Sequence, residues 1–237
     1  MSLSVAILAG GLATRLRPAT EKIPKSLIEI NGEPFLAHQL RLLHSRGVRR
    51  AVLCVGYLGE MVRDYAGKGE RFGMELEYSF DGAALRGTGG AIHQALPLLG
   101  ESFFVLYGDS YLPCDYARAQ QAFEDSGKAA LMTVYRNFGR WDSSNVEFTE
   151  EQGEARILAY NKRARTNRMQ HIDYGLGAFS RRAFEGVEPG SVCDLAGIYQ
   201  KLLAAGDLAG LEVAERFYEV GSREGIEDLS RLLGSKK

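Results

Sequence analysis

The run Val5-Ala6-Ile7-Leu8-Ala9-Gly10-Gly11 constrains this chain more than any other stretch of it. A short, unbroken apolar segment that stops at two glycines reads as a buried strand followed by a loop whose backbone can approach a ligand closely. Leu12-Ala13-Thr14-Arg15-Leu16-Arg17-Pro18 and then Pro24-Lys25 follow, so Arg15, Arg17 and Lys25 place three cations within eleven positions. Backbone N–H groups of such a loop form an anion-binding concavity, and fixed cations beside it suit a polyphosphate. Two familiar phosphate loops are excluded. No Gly-Lys-Ser/Thr occurs in the chain, and Gly10-Gly11-Leu12-Ala13-Thr14-Arg15 lacks the G-x-G-x-x-G spacing.

Downstream, strands and helices alternate. Ser4–Leu8 is the first strand, residues 9–26 a loop, and Leu27–Ile30 a short strand before the Asn31-Gly32 turn. Pro34 sits in the first turn of a helix with Phe35, Leu36, Leu40, Leu42 and Leu43 on its apolar face, ended by Gly47. Ala51–Val55 is a buried strand, Gly56-Tyr57-Leu58-Gly59 leads to a helix through Tyr65, and Met74–Ser79 alternates as a half-exposed strand. Asp81–Gly90 is a second glycine-bearing loop, in which Gly87-Thr88-Gly89-Gly90 opens a helix over Ala91–Leu98. Phe103–Tyr107 is the most continuously apolar strand and belongs mid-sheet, and it runs into Gly108-Asp109-Ser110. This βαβ spacing predicts an α/β fold, a Rossmann-like, mainly parallel sheet flanked by helices. Ligands of such sheets gather at the carboxyl ends of strands, so Gly10, Gly56 and Gly108 are expected around one cleft.

A helix over Tyr116–Asp125 and a strand over Ala129–Tyr135 come next, and from Asn137 the character changes. Trp141–Phe148 and Ile157–Lys162 read as two short antiparallel strands capped by the polar loop Arg163–Gln170, and Ile172–Phe179 returns to strand. Ser191-x-x-Asp194 is a capping-box pattern for a helix through Leu203, and Ser222 caps a last helix after strands at Leu208–Val213 and Phe217–Val220. No repeat or linker interrupts the chain, which predicts one domain over 1–237 with a small antiparallel subregion at about 137–180.

Composition narrows the function class. A net charge of −1 over 237 residues gives no reason to expect nucleic-acid or acidic-membrane binding. The three cysteines, Cys54, Cys114 and Cys193, lie far apart, as reduced thiols do. The chain opens without a signal-peptide pattern and has no apolar run near the ~20 residues that span a bilayer, so a cytoplasmic protein is expected. His38, His44, His93 and His171 lack metal-ligand spacing.

Leu8-Ala9-Gly10-Gly11-Leu12-Ala13-Thr14-Arg15-Leu16-Arg17-Pro18 with Pro24-Lys25 resembles, nearly letter for letter, the signature of the sugar-1-phosphate nucleotidyltransferases. The one departure is Ala13, where that family usually has glycine. The rest of the chain resembles the family in the same order. Gly87-Thr88-Gly89-Gly90 corresponds to the loop beside the base, Gly108-Asp109 to the metal-binding Gly-Asp, and Lys162 to a lysine for the sugar phosphate. Tyr218-Glu219-Val220-Gly221-Ser222 corresponds to the segment with a second metal carboxylate, usually Asp. With Trp141-Asp142-Ser143-Ser144-Asn145-Val146 and Asp173-Tyr174-Gly175, the resemblance is nearest to heptose-1-phosphate guanylyltransferase-like enzymes, then to N-acetylmuramate-1-phosphate uridylyltransferases.

The resemblance implies attack by a sugar 1-phosphate on the α-phosphorus of a nucleoside triphosphate, with pyrophosphate leaving, in the synthesis of cell-surface polysaccharide precursors. It implies catalytic roles for Arg15, Lys25 and Asp109. The nucleotide would lie on Leu8, Ala9, Gly10, Gly11, Leu12, Ala13, Thr14, Arg15, Lys25, Gly56, Thr88, Gly89 and Gly108. Mg²⁺ would be held by Asp109 and Glu219, and the acceptor by Asn145, Lys162, Asp173 and Gly175. It also implies no appended acyltransferase or β-helix module, and leaves a homo-oligomer open. Two rival readings are a phosphocholine cytidylyltransferase-like enzyme and a catalytically weak nucleotide-binding module, the latter motivated by Ala13 and Glu219. If Ala13 resists the backbone conformation glycine would adopt, Ala13→Gly tightens triphosphate binding in titration calorimetry; equal or weaker binding means the loop already fits.

Overall fold

The computed structural model of the chain describes residues 2–11, 22–82, 85–151 and 153–234. Leu12, Ala13, Thr14, Arg15 and Arg17 therefore lie outside the described residues. The opening apolar run forms β1 (Ser4–Leu8), and the next long strand is β4 (Arg50–Val55), with β2 (Glu29–Ile30), β3 (Glu33–Pro34) and α1 (Phe35–Ser45) between them. There follow α2 (Gly59–Ala66), β5 (Glu75–Phe80), α3 (Gly87–Ala95), β6 (Ser102–Tyr107), β7 (Ser110–Tyr111) and α4 (Tyr116–Ser126). The second half consists of β8 (Ala130–Arg136), β9 (Val146–Glu151), β10 (Glu154–Tyr160), β11 (His171–Ser180), α5 (Leu195–Ala204), β12 (Leu208–Val213), β13 (Tyr218–Glu219) and α6 (Arg223–Gly234).

Among the described residues, nine strands share one sheet, and β6 and β1 lie at its centre. β5, β4, β1 and β6 are parallel neighbours, with Val5 opposite Ala51 on one side and Phe104 on the other. β11 then runs antiparallel to β6 and to β8, and β12 pairs parallel to β8. The β9–β10 hairpin joins the same sheet where Val146 meets His171. The antiparallel strands expected as a small subregion thus extend the main sheet.

Alternation along the central strands sends residues to two cores. Val5, Ile7, Leu53, Phe104 and Leu106 face α1, α2 and α4, whereas Ala6, Val52, Phe103 and Val105 face α3 and α5. A strand covered on both faces has no solvent side, which is why these segments are apolar without interruption. A third cluster, Ile30, Phe35, Tyr111, Val220 and Leu229, packs α6 against the short β2–β3 and β7–β13 pairs. Ser222 caps α6 as expected, its hydroxyl accepting from the Gly225 N–H at 3.0 Å.

Four local expectations change. Lys25–Leu27 is a 3-10 turn, so only Glu29 and Ile30 of the expected second strand pair. Gly87–Gly90 form the first turn of α3 itself, and the helix closes at Ala95 before a 3-10 turn containing Pro97, which has no N–H to continue it. Trp141–Asn145 stay outside β9, since Phe138 and Trp141 adopt positive φ (51° and 67°), and the hairpin closes where Glu151 pairs with Glu154, ahead of the 163–170 loop. The capping box at Ser191–Asp194 does not form. Asp194 is itself the N-cap residue of α5 without a side-chain cap, and the Leu195 N–H donates instead to Thr88 Oγ1 at 2.8 Å.

Phe104 is fully buried at the centre of the sheet, edge-on to Tyr116 with ring centroids 5.7 Å apart. Deleting a buried ring costs its transfer free energy and leaves a cavity. Phe104→Ala is expected to lower unfolding free energy by about 3–5 kcal/mol in urea titrations, and a loss under about 1 kcal/mol would contradict this packing.

Candidate active site

The carboxyl ends of β1, β4, β5 and β6 meet the start of α3 around a cleft of about 310 Å³, within the size range of small-molecule sites. Leu8, Ala9, Gly10, Gly11, Lys25, Thr88, Gly108 and Asp109 line it, together with Cys54, Asp81, Tyr107 and Asp194. The expectation that the first glycine loop and Gly108-Asp109 converge is met. Gly56 and Gly89 serve as framework: a Cβ on Gly56 would stand 3.0 Å from the Gly10 carbonyl oxygen, and the Gly89 N–H donates to Cys193 O at 2.9 Å.

Close backbone approach sets the floor of the cleft. The Gly108 N–H donates to Leu8 O at 3.0 Å, and the Ala9 N–H to Cys54 O at 2.8 Å, extending β1's pairing one residue past the strand ends. A Cβ on Gly108 would lie 2.5 Å from Leu8 O, so only glycine permits this contact. Asp109 follows directly. Its Oδ2 accepts from Lys25 Nζ at 2.5 Å, a charge-assisted bond joining residues 84 positions apart.

β7 then pairs antiparallel with β13, placing Glu219 opposite Ser110, and the Val220 N–H donates to Asp109 O at 2.9 Å. Of the two carboxylates named from the sequence, Glu219 stands on β13 and Asp109 immediately precedes its partner strand β7. Among the described residues there is no group of three or more acidic, His or Cys side chains arranged to hold a metal. A Mg²⁺ ion placed here would take at most these two carboxylates from the described residues. Mg²⁺ favours hard oxygen ligands and commonly takes one or two carboxylates with phosphate oxygens and water, so this donor set fits it.

The four acceptor candidates also come together. Asn145 Oδ1 accepts from the Asp173 N–H at 2.9 Å, and Asp173 Oδ1 accepts from the Gly175 N–H at 3.2 Å. Asp173 Oδ2 accepts from Tyr160 Oη at 3.2 Å and lies 3.6 Å from Lys162 Nζ. The β11–β8 register shifts between Asp173 and Gly177, and Gly175 takes φ +100° in that irregular stretch. Burial opposes the charge on Lys162, but Asp173 and Tyr107 outweigh it and hold its ammonium group above the ordinary lysine pKa.

Tyr107 joins the two clusters and was not singled out from the sequence. It lines the glycine-lined cleft, immediately precedes Gly108-Asp109, and its Oη lies 3.3 Å from Lys162 Nζ. Burial first, and then Asp173, pushes its phenol up to about 12, so it remains neutral while its oxygen accepts from the Lys162 ammonium. Its one sequence signal was an aromatic residue immediately before Gly-Asp. Asp81 was also missed as a site residue, because an Asp before a Gly reads as a turn.

Comparisons with known proteins place the chain in a family. A family model described as nucleotidyl transferase matches residues 4–140. The N-acetylmuramate alpha-1-phosphate uridylyltransferase of Neisseria meningitidis serogroup B is 28% identical over 233 residues, 98% of each chain. The D-glycero-alpha-D-manno-heptose 1-phosphate guanylyltransferase of Campylobacter jejuni is 33% identical over 141 residues, 60% of this chain and 62% of the relative. In fold, the chain superposes on HddC from Yersinia pseudotuberculosis, crystallised with GMP-PN, with a TM-score of 0.76 at 21% identity over 98% and 99% of the two chains. The resemblance read from the sequence is borne out, and this chain belongs to the nucleotidyl transferase family of enzymes.

Proposed function

We propose that the chain transfers a nucleotidyl group from a nucleoside triphosphate to a sugar 1-phosphate, releasing pyrophosphate. The observation that carries this reading is Tyr107-Gly108-Asp109. One short segment contributes Asp109 and Gly108 to the glycine-lined cleft and touches Lys162 of the polar cluster through Tyr107. A donor subsite and an acceptor subsite sharing a wall is what in-line transfer between two phosphates requires. Heptose 1-phosphate with GTP is the favoured pair and N-acetylmuramate 1-phosphate with UTP the next, in keeping with the two relatives.

Both reactants are anions, and two unit charges ~4 Å apart repel by about 4 kcal/mol at an effective dielectric of ~20. Asp109 and Glu219 would hold Mg²⁺, which when bound screens this repulsion between the two phosphates. Lys25, fixed on Asp109, lies beside the transferring phosphoryl group, and Arg15 with the N–H groups of Gly10, Gly11, Leu12 and Ala13 meets the leaving pyrophosphate. Lys162, oriented by Asp173 and Tyr107, takes the acceptor phosphate. The nucleophile is already ionised at neutral pH, so no general base is assigned.

Two outcomes follow. Asp109→Ala should cut pyrophosphate release about a hundred- to a thousandfold while leaving the unfolding midpoint within a few degrees, and near-normal Mg²⁺-dependent turnover would remove Asp109 from the mechanism. Lys162→Met should raise KM for the sugar phosphate about ten- to a hundredfold and leave KM for the nucleotide unchanged. A lysine pKa raised above its ordinary ~10.4 stays charged through alkaline pH, so the wild-type acceptor KM should be flat between about pH 7 and 10. A rise beginning near pH 8 would mean a different group binds that phosphate.

A further inference from the structure

One polar side chain interrupts the apolar stripe of α1. Leu36, Leu40 and Leu43 pack into the core from that helix, and Gln39 sits among them, only 1% exposed. A leucine or methionine would fill this space with no polar group to satisfy. Gln39 instead directs its amide to the strand end that carries the site. Its Nε2 donates to Tyr107 O at 3.2 Å and to Ser110 O at 2.7 Å, the two carbonyls on either side of Gly108-Asp109. The amide has two hydrogens for these two acceptors, while its Oε1 is buried with no hydrogen-bond partner among the described residues. An orphaned acceptor opposes folding, so the two donations, not core filling, account for a glutamine here.

We infer that Gln39 is a positioning residue for nucleotidyl transfer, acting through the main chain that bears Asp109. Two other bonds hold this turn. The Gly108 N–H meets Leu8 O on the side of β1, and the Val220 N–H meets Asp109 O on the side of β13. Neither involves the carbonyls of Tyr107 or Ser110, and Gln39 takes both of these from the side of α1. The peptide units before and after Gly108-Asp109 are thereby fixed, and with them the direction in which the Asp109 side chain leaves the backbone. The same helix registers the other member of the ion pair. The Phe35 N–H donates at 2.8 Å to the carbonyl of Ile28, the residue that closes the 3-10 turn Lys25–Leu27. α1 therefore sets both turns whose side chains meet as Lys25 Nζ and Asp109 Oδ2, 2.5 Å apart. Groups that align two phosphates tolerate little displacement, since a misplacement of ~1 Å can slow transfer about a hundredfold.

The task given to Gln39 rests on the nucleotidyl-transfer reading, and amide exchange without substrates separates the two. Gln39→Met keeps the volume and loses both donors. Hydrogen–deuterium exchange of the ligand-free variant should quicken about tenfold or more at residues 107–111 and 218–221, while residues 102–106 of β6 exchange as in the wild type. With Mg²⁺ and both substrates, kcat should fall about ten- to a hundredfold, and KM for the sugar phosphate should stay within about twofold because Lys162 keeps Asp173. Circular dichroism melting serves as the folding control. If Gln39→Met does not fold, Gln39→Asn, one methylene shorter, carries the same expectations. Unchanged exchange at 107–111, quickening that extends equally through 102–106, or an undiminished kcat on a loosened turn overturns the role of Gln39. A wild type that releases no pyrophosphate from GTP or UTP with any sugar 1-phosphate overturns the transfer reading, and the exchange result then still decides whether Gln39 places the turn.

Discussion

The hydrogen bond from the Gly108 N–H to Leu8 O governs the position of everything chemical in this molecule. It continues the β1–β6 ladder past the ends of both strands, so the loop after each strand leaves from a fixed point. Because residue 108 has no Cβ, the two backbones approach to a distance any other side chain would block. Asp109 is then held by its own backbone, by the Val220 N–H, and by Lys25. A residue held through both its main chain and its carboxylate does not need to be ordered when a ligand arrives, and that preorganisation lowers the entropic cost of assembling the site.

Such precision at the strand ends depends on what lies beneath. β1 and β6 are covered on both faces, with Val5, Ile7, Phe104 and Leu106 to one side and Ala6, Phe103 and Val105 to the other. Register in a doubly buried parallel pair is fixed by packing on both faces, since a slip of one residue exchanges the two. The chain therefore spends its most apolar segments on the strands that carry the glycines. β11 extends the logic to the second half of the site. It pairs with β6 through Leu176–Ser180 and with β8 on its other edge, where the register shifts between Asp173 and Gly177, and Asp173, still paired with Val134, lies 3.6 Å from Lys162 Nζ.

Much of this was legible in the residues. Doubly buried strands announce themselves by unbroken apolar runs, and Gly10, Gly11, Lys25, Gly108 and Asp109 stand out because loop glycines and charges have few other reasons to follow such runs. Asn145, Lys162, Asp173 and Gly175 were found by resemblance, and only the fold brings them together. What stayed hidden depends on contacts distant in sequence. Thr88 reads as part of a glycine loop, yet it accepts from the N–H of Leu195, 107 positions later, and so displaces the capping box that Ser191 and Asp194 spell out. Tyr107 resembles any core aromatic until β11 and Lys162 are set beside it. Glycines that a propensity argument assigns to loops became the first turn of α3, because Gly89 and Gly90 let that helix lie against Ser191 and Cys193, where Cβ atoms would stand 2.9 Å or less from them.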